Sequence, residues 1–283
     1  MAFYDRLMSI DRRIVFLSIG LAVAIPLLLP IGIPVQVSEE TMRFYREMEA
    51  LKPGDVILLS FDYEGDVMAE VDPMAIAAMN HAFSKDLKVV SLTTYAGCIG
   101  IAERVLANAA SAYGKTYGED YVFLGYNPDW SGTILRLGES FKATYPTDQH
   151  GRSTGEIPLM QRVETYRDIG LIVSISGSAL SEYWAIWAGG RYGAKVISGN
   201  TAIQAISIYP YYQAHQILGF LGGLKGAAEY EKMIGKPAMG VRGMDAQSVA
   251  HSLMVVFIIV GNLGYFLSRR AKRLAGARPA GTK

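Results

Sequence analysis

Residues 56–94 read VILLSFDYEGDVMAEVDPMAIAAMNHAFSKDLKVVSLTT, and this stretch decides the fold. It opens on an apolar run, 56–61, too short for an ordinary helix and lacking the alternation of a half-exposed strand. A strand buried on both faces reads this way. Asp72 and Pro73 then open a helix, with proline in the first turn, where its missing N–H is harmless. That helix is expected to run to about 86, and a second apolar strand occupies 88–94. Strand, helix and strand in this order make a parallel crossover unit.

Working outward, the alternation repeats. Upstream, Ser38 is a candidate cap for a helix that starts with Glu39 and Glu40 and breaks at Lys52-Pro53-Gly54. Downstream come a helix at 99–113, a strand at 121–125 and a short helix at 131–139. A polar connector at 140–158 is long enough to be a functional loop or a lid. A strand at 169–175, a helix at 179–192, a short strand at 196–198 and a longer helical region complete the series. The fold class expected is α/β, with a mostly parallel, doubly wound sheet of the Rossmann or flavodoxin type. The strand order stays open.

Both ends of the chain differ from this domain. Residues 14–38 carry no charge, and at 1.5 Å per residue the run reaches roughly 35 Å, enough for a hydrocarbon core of about 30 Å. A cleaved signal peptide is the alternative, but no A-x-A-like site follows. Residues 246–268 form a second apolar run, with Asn262 between Gly261 and Gly264. Such an amide either contacts a neighbouring helix or sits near an interface. Arg12 and Arg13 precede the first segment, and Arg269, Arg270, Lys272 and Arg273 follow the second. By the positive-inside rule both ends are cytoplasmic. The expected layout is an N-terminal tail 1–12, membrane segments 13–34 and 246–268 around an extracytoplasmic domain 35–245, and a basic tail 269–283.

The net charge of +1 divides unevenly. Residues 269–283 carry +6 and 1–13 carry +1, so 14–268 carry 1 − 6 − 1 = −6. The tail suits an anionic leaflet, whereas the acidic body would repel nucleic acid. The single cysteine, Cys98, excludes an intrachain disulfide.

At the carboxyl ends of the expected strands, where open α/β sheets bind ligands, lie Asp62, Thr94, Asn127, Ser176, Gly177, Ser178 and Asn200. These are the candidate ligand-binding residues, and ordinary turn and cap chemistry uses the same residue types. Ser176 and Ser178 follow a strand and precede a helix, but G-x-S-x-G is absent. Asp62, Glu64 and Asp66 lack the glycine and distal glutamate of a calcium loop. Cys98 has no evident base partner, and the four histidines show no metal spacing. No metal or cofactor is therefore expected, and the sequence names no catalytic residue and leaves open whether the chain is an enzyme.

Residues 196–224 carry no charge unless His215 is protonated. The stretch is domain core, an interface or a membrane-associated segment. Tyr209, Tyr211, Tyr212, Phe220 and Leu221 are the candidate interface residues, and Gly219, Gly222 and Gly223 would admit a second backbone.

GDVILLSFDY at 54–63, YPTDQHG at 145–151 and IYPYYQAHQILGFLGGLKGAAEYE at 208–231 resemble a group of uncharacterised prokaryotic membrane proteins of this layout. The resemblance covers most of the chain. It implies the architecture and no site residue, because the group has no established activity. The function expected is an assembly component of the cell envelope, partnered by the bilayer and by itself or another membrane protein, with room for a small ligand. The alternative is a membrane-anchored serine-type hydrolase with its site at the strand ends.

Overall fold

The computed structural model describes residues 11–34 and 36–276. The chain divides into an α/β unit, 34–241, and a helical unit drawn from its two ends.

In the α/β unit six parallel strands form one sheet: β1 (Val56–Asp62), β2 (Lys88–Thr93), β3 (Tyr121–Tyr126), β4 (Leu171–Ser176), β5 (Val196–Asn200) and β6 (Phe220–Gly222). Their order is β3-β2-β1-β4-β5-β6, the order of dinucleotide-binding Rossmann sheets. Every residue of β1 is buried, as its unbroken apolar run implied. Alternate side chains go to opposite faces. Ile57, Leu59 and Phe61 join one core, and Val56 and Leu58 join the other.

In chain order the helices are α1 (Arg12–Leu28), α2 (Glu39–Glu49), α3 (Met68–Ser84), α4 (Ile99–Tyr113), α5 (Trp130–Leu137), α6 (Phe141–Thr144) and α7 (Pro158–Gln161). Then follow α8 (Leu180–Tyr183), α9 (Gly190–Tyr192), α10 (Ala202–Gln213), α11 (Gly223–Met233) and α12 (Met239–Gly276). A π-helical turn, Trp184–Gly189, joins α8 to α9. Residues of α2, α3, α4 and α11 build the first core; residues of α5, α6, α7, the π-turn and α10 build the second. Helix α3 starts four residues before Asp72, a turn earlier than the proline signal implied. Asp72 is held there by Arg104 (2.7 Å) and by the Tyr63 hydroxyl (2.9 Å).

The connector is tied to the sheet. Gln149 N donates to Phe123 O of edge strand β3 (2.9 Å), and Tyr117 Oη lies in the same ladder position, accepting from Phe123 N (3.3 Å). The edge strand is thereby covered by its own chain.

Region 196–224 follows expectation at its start and departs from it later. The strand expected at 196–198 is β5, but the helical region after it is interrupted: α10 ends at Gln213 and the short strand β6 follows. Phe220 and Leu221 are buried in the two cores, so neither presents a surface to a partner. The backbone that approaches Gly219 is the chain's own: a Cβ there would collide with the main chain of Arg43 and Phe44 in α2. Tyr212 packs edge-on to Phe220 (5.5 Å) beneath the Arg43 guanidinium. Tyr211 is half-buried and Tyr209 exposed.

Among the described residues, one helix is long and apolar enough to cross a membrane: Met239–Arg270, within α12. The sequence led us to expect one at each end. Helix α1 has 17 residues, about 25 Å at 1.5 Å per residue, short of a core of about 30 Å. It ends at Leu28, two residues after Pro26, and 29–34 are non-helical. Asn262 donates to the Ile258 carbonyl of its own helix (2.8 Å), which satisfies its amide without a second helix. Residues 1–10 and 277–283, most of the two tails, lie outside the described residues.

Candidate functional site

Three central strands place polar side chains on one sheet face, in register. Ser60, Ser174 and Ser198 form one row, and Asp62, Ser176 and Asn200 form the next. All six are fully buried. The two-residue period of a strand puts both rows on the same side. Six of the seven predicted ligand residues belong to this cluster or border it. Asn127 does not: its Oδ1 accepts from Asp129 N (3.0 Å) and shapes its own turn.

Asp62 is the centre. Oδ1 accepts from Thr94 Oγ1 (2.7 Å) and Thr94 N (3.1 Å), and Oδ2 accepts from Ser60 Oγ (2.5 Å) and, at 3.4 Å, from Trp184 Nε1. Burial pushes the Asp62 carboxyl above its ordinary value, against the hydrogen bonds from Ser60, Thr94 and Trp184. Beside it, Ser174 and Ser181 share a hydrogen bond (2.9 Å), and Asn200 Nδ2 donates to Ser181 Oγ (2.9 Å). Asn200 Oδ1 and Ser198 Oγ have no protein partner among the described residues.

The loops over the cluster are packed together. A Cβ on Gly177 would lie 2.6 Å from Val67 Cγ2, so the β4–α8 turn is pressed onto the β1–α3 loop. Ser176 Oγ accepts from Ser178 N (3.0 Å) and lies 3.1 Å from Ser178 Oγ. Among the described residues, the partners of Ser174, Ser176 and Ser178 are hydroxyls, amides and carbonyls, with no imidazole or amine. Cys98 is buried and its thiol is pushed up to about 12, chiefly by desolvation, so it is a poor nucleophile.

The chain matches no protein-family model, and no curated protein is significantly similar to it. Its chemistry is read from geometry alone, which here describes a buried polar lattice that locks the sheet to the π-turn.

Sequence reasoning missed a second group, the buried acids near the ends of the α/β unit. Glu229 in α11 accepts from Ser38 Oγ (2.8 Å) and Ser38 N (3.1 Å) and pairs with Lys225 (2.5 Å). Glu231, two residues on, accepts from the backbone N–H groups of Ala238 (2.8 Å), Gly240 (2.8 Å) and Val241 (2.9 Å). One short helix therefore holds both the first residues of the unit and the start of α12. In the helical unit Asp245 does likewise, accepting from Ile31 N, Gly32 N and Ile33 N at 2.7–3.0 Å. The only signal was local: Glu229 and Glu231 alternate with Ala228 and Tyr230.

His81 lies in α3 and is nearly fully buried. Its Nδ1 lies 2.6 Å from Tyr230 Oη and its Nε2 lies 2.9 Å from Glu49 Oε1. One neutral tautomer satisfies both partners, with Tyr230 donating to Nδ1 and Nε2–H donating to Glu49. Burial lowers the imidazole pKa, and Lys85 with His81 brings Glu49 down to about 2. The unfolded chain therefore takes up His81's proton first. That part of the stability is present above about pH 6.5 and is lost as pH falls through the lower folded value. Denaturant midpoints measured between pH 4 and 8 should decline on the acid side, and His81→Gln should flatten the decline above about pH 5. An equally steep curve in the variant would remove His81 as the cause.

Proposed function

We propose that this protein is an assembly component of the cell envelope. It is anchored twice, with both ends cytoplasmic and the α/β domain outside, and it associates with a second copy through the outer face of α10. The exposed face of α10 carries the reading. Ile203 is 84% exposed, Ile206 75% and Tyr209 44%, spaced by three on one side of a helix without a charged residue. Apolar side chains in such a row lose contact with water on association, at roughly 25 cal/mol per Å² buried. The absence of charge removes the means of selecting a charged partner and suits a self-complementary contact about a twofold axis.

The apolar length of α12 and the arginines at 269 and 270 support the placement. The uncharged run from Ile14 supports a second anchor, which the 17-residue α1 completes by local thinning of the bilayer. The hydrolase alternative draws no support from the strand ends, where the hydroxyls are occupied by one another.

One experiment addresses both parts. Ile206→Cys and, as a control on the opposite end of the sheet, Lys52→Cys are introduced separately into the full chain. Intact cells are then treated with a membrane-impermeant bifunctional thiol reagent. Both variants should be labelled, and only the Ile206→Cys variant should appear as a dimer. Labelling of neither would defeat the topology, and labelling of both without dimer would defeat the assembly.

A further inference from the structure

On the face of α4 that looks past edge strand β3 lie Glu103, Leu106 and Ala107, at the i, i+3, i+4 spacing that makes helical neighbours. With Tyr117, Tyr121, Phe123 and His150 they enclose a cleft of about 250 Å³. That is below the roughly 300–1,000 Å³ of sites for drug-sized ligands, and it suits a compact headgroup.

The walls form a box of rings. Tyr117 stands edge-on to Tyr121, with centroids 5.1 Å apart and planes at 82°, and to His150, at 4.9 Å and 66°. The edge-to-face contacts fix the rings against one another, and the negative π-faces of an aromatic lining attract an organic cation. Tyr117 already engages one cation, with the Arg152 guanidinium 5.2 Å from its ring centroid. The box is held in advance of any guest. Asp148, nearly fully buried, accepts from Tyr117 Oη (2.9 Å), His150 N (2.9 Å) and Arg152 N (2.8 Å). The Glu103 carboxylate lines the cleft without a hydrogen bond or ion pair to any described residue. An anion would meet that carboxylate, and a neutral apolar guest would desolvate it without return.

We infer that this cleft binds a small alkylammonium cation, enclosed by Tyr117, Tyr121, Phe123 and His150 and neutralised by Glu103. The ammonium group belongs either to a free small molecule or to a lipid headgroup, and the test separates the two.

The full chain, purified in a detergent without a choline headgroup, is titrated with choline and with its neutral isostere 3,3-dimethylbutan-1-ol, followed by calorimetry. Choline should bind saturably, and the isostere about tenfold more weakly or not at all. Glu103→Gln should weaken choline about fivefold or more without lowering the melting temperature. Tyr121→Phe should keep binding and Tyr121→Leu should lose it, because the ring face and not the hydroxyl is used. Tighter binding of monomeric short-chain phosphatidylcholine than of choline assigns the cation to a lipid; equal or weaker binding assigns it to a free molecule. The inference is overturned if choline does not bind saturably, if the isostere binds as well, or if Glu103→Gln binds choline like the parent chain.

Discussion

Replacing Glu231 by alanine is expected to destabilise the α/β unit by about 3–5 kcal/mol. The carboxylate takes three backbone N–H groups, from Ala238, Gly240 and Val241, in a site shielded from water. Those donors include the free N–H groups of the first turn of α12, which no intrahelical carbonyl can satisfy. Each donor left buried and unpaired costs about 1–3 kcal/mol, and partial rearrangement of 234–238 recovers some of the sum. Glu231→Gln keeps one acceptor oxygen close to its place but loses the charge and replaces the other oxygen by a donating NH2 group, so it should fall between parent and alanine variant. Urea unfolding of the full chain in mild detergent, followed by tryptophan fluorescence, measures the difference. The three tryptophans, Trp130, Trp184 and Trp187, all report on the α/β unit. An alanine variant within about 1 kcal/mol of the parent would mean that these bonds are readily exchanged for water.

The second large effect is expected at Asp62. Alanine there strands the hydroxyls of Ser60 and Thr94 and the Thr94 N–H in a buried site, at a cost of about 2–4 kcal/mol. Relief of the buried carboxyl's desolvation offsets part of this. The double variant Asp62→Ala, Thr94→Val removes an acceptor and one of its donors together. It should be less destabilised than the sum of the single changes by about 1 kcal/mol or more. Strict additivity would show that the polar rows on β1, β4 and β5 do not act as one network.

Several elements were legible because they depend on short-range pattern. The apolar run of β1 and the proline-marked α3 each follow from local periodicity and backbone preference. The parallel α/β class follows from their alternation. The strand order did not, since residues 32 apart in β1 and β2 and 114 apart in β1 and β4 become neighbours only through packing. Strand β6 was missed because three residues between glycines, in an uncharged stretch, carry no periodicity to distinguish strand from helix. The candidate residues lie at or beside strand ends, but whether such an end is open depends on what the loops bring to it. Val67 against Gly177 is a contact no motif encodes.

By itself the sequence determined that the chain has an apolar, membrane-compatible segment near its C-terminus and a parallel α/β domain before it. Composition and period act over a few turns of chain, so one sequence suffices to read them. Only the tertiary structure decided which uncharged residues face outward: Ile203, Ile206 and Tyr209 do, whereas Phe220 and Leu221 are core. Only it decided which acids are structural, because Glu229, Glu231 and Asp245 are recognisable as anchors once backbone donors from elsewhere in the chain have been brought to them. The reason is the same in each case. A side chain's burial and its partners are set by distant segments, and those distances are fixed by packing rather than by the local sequence.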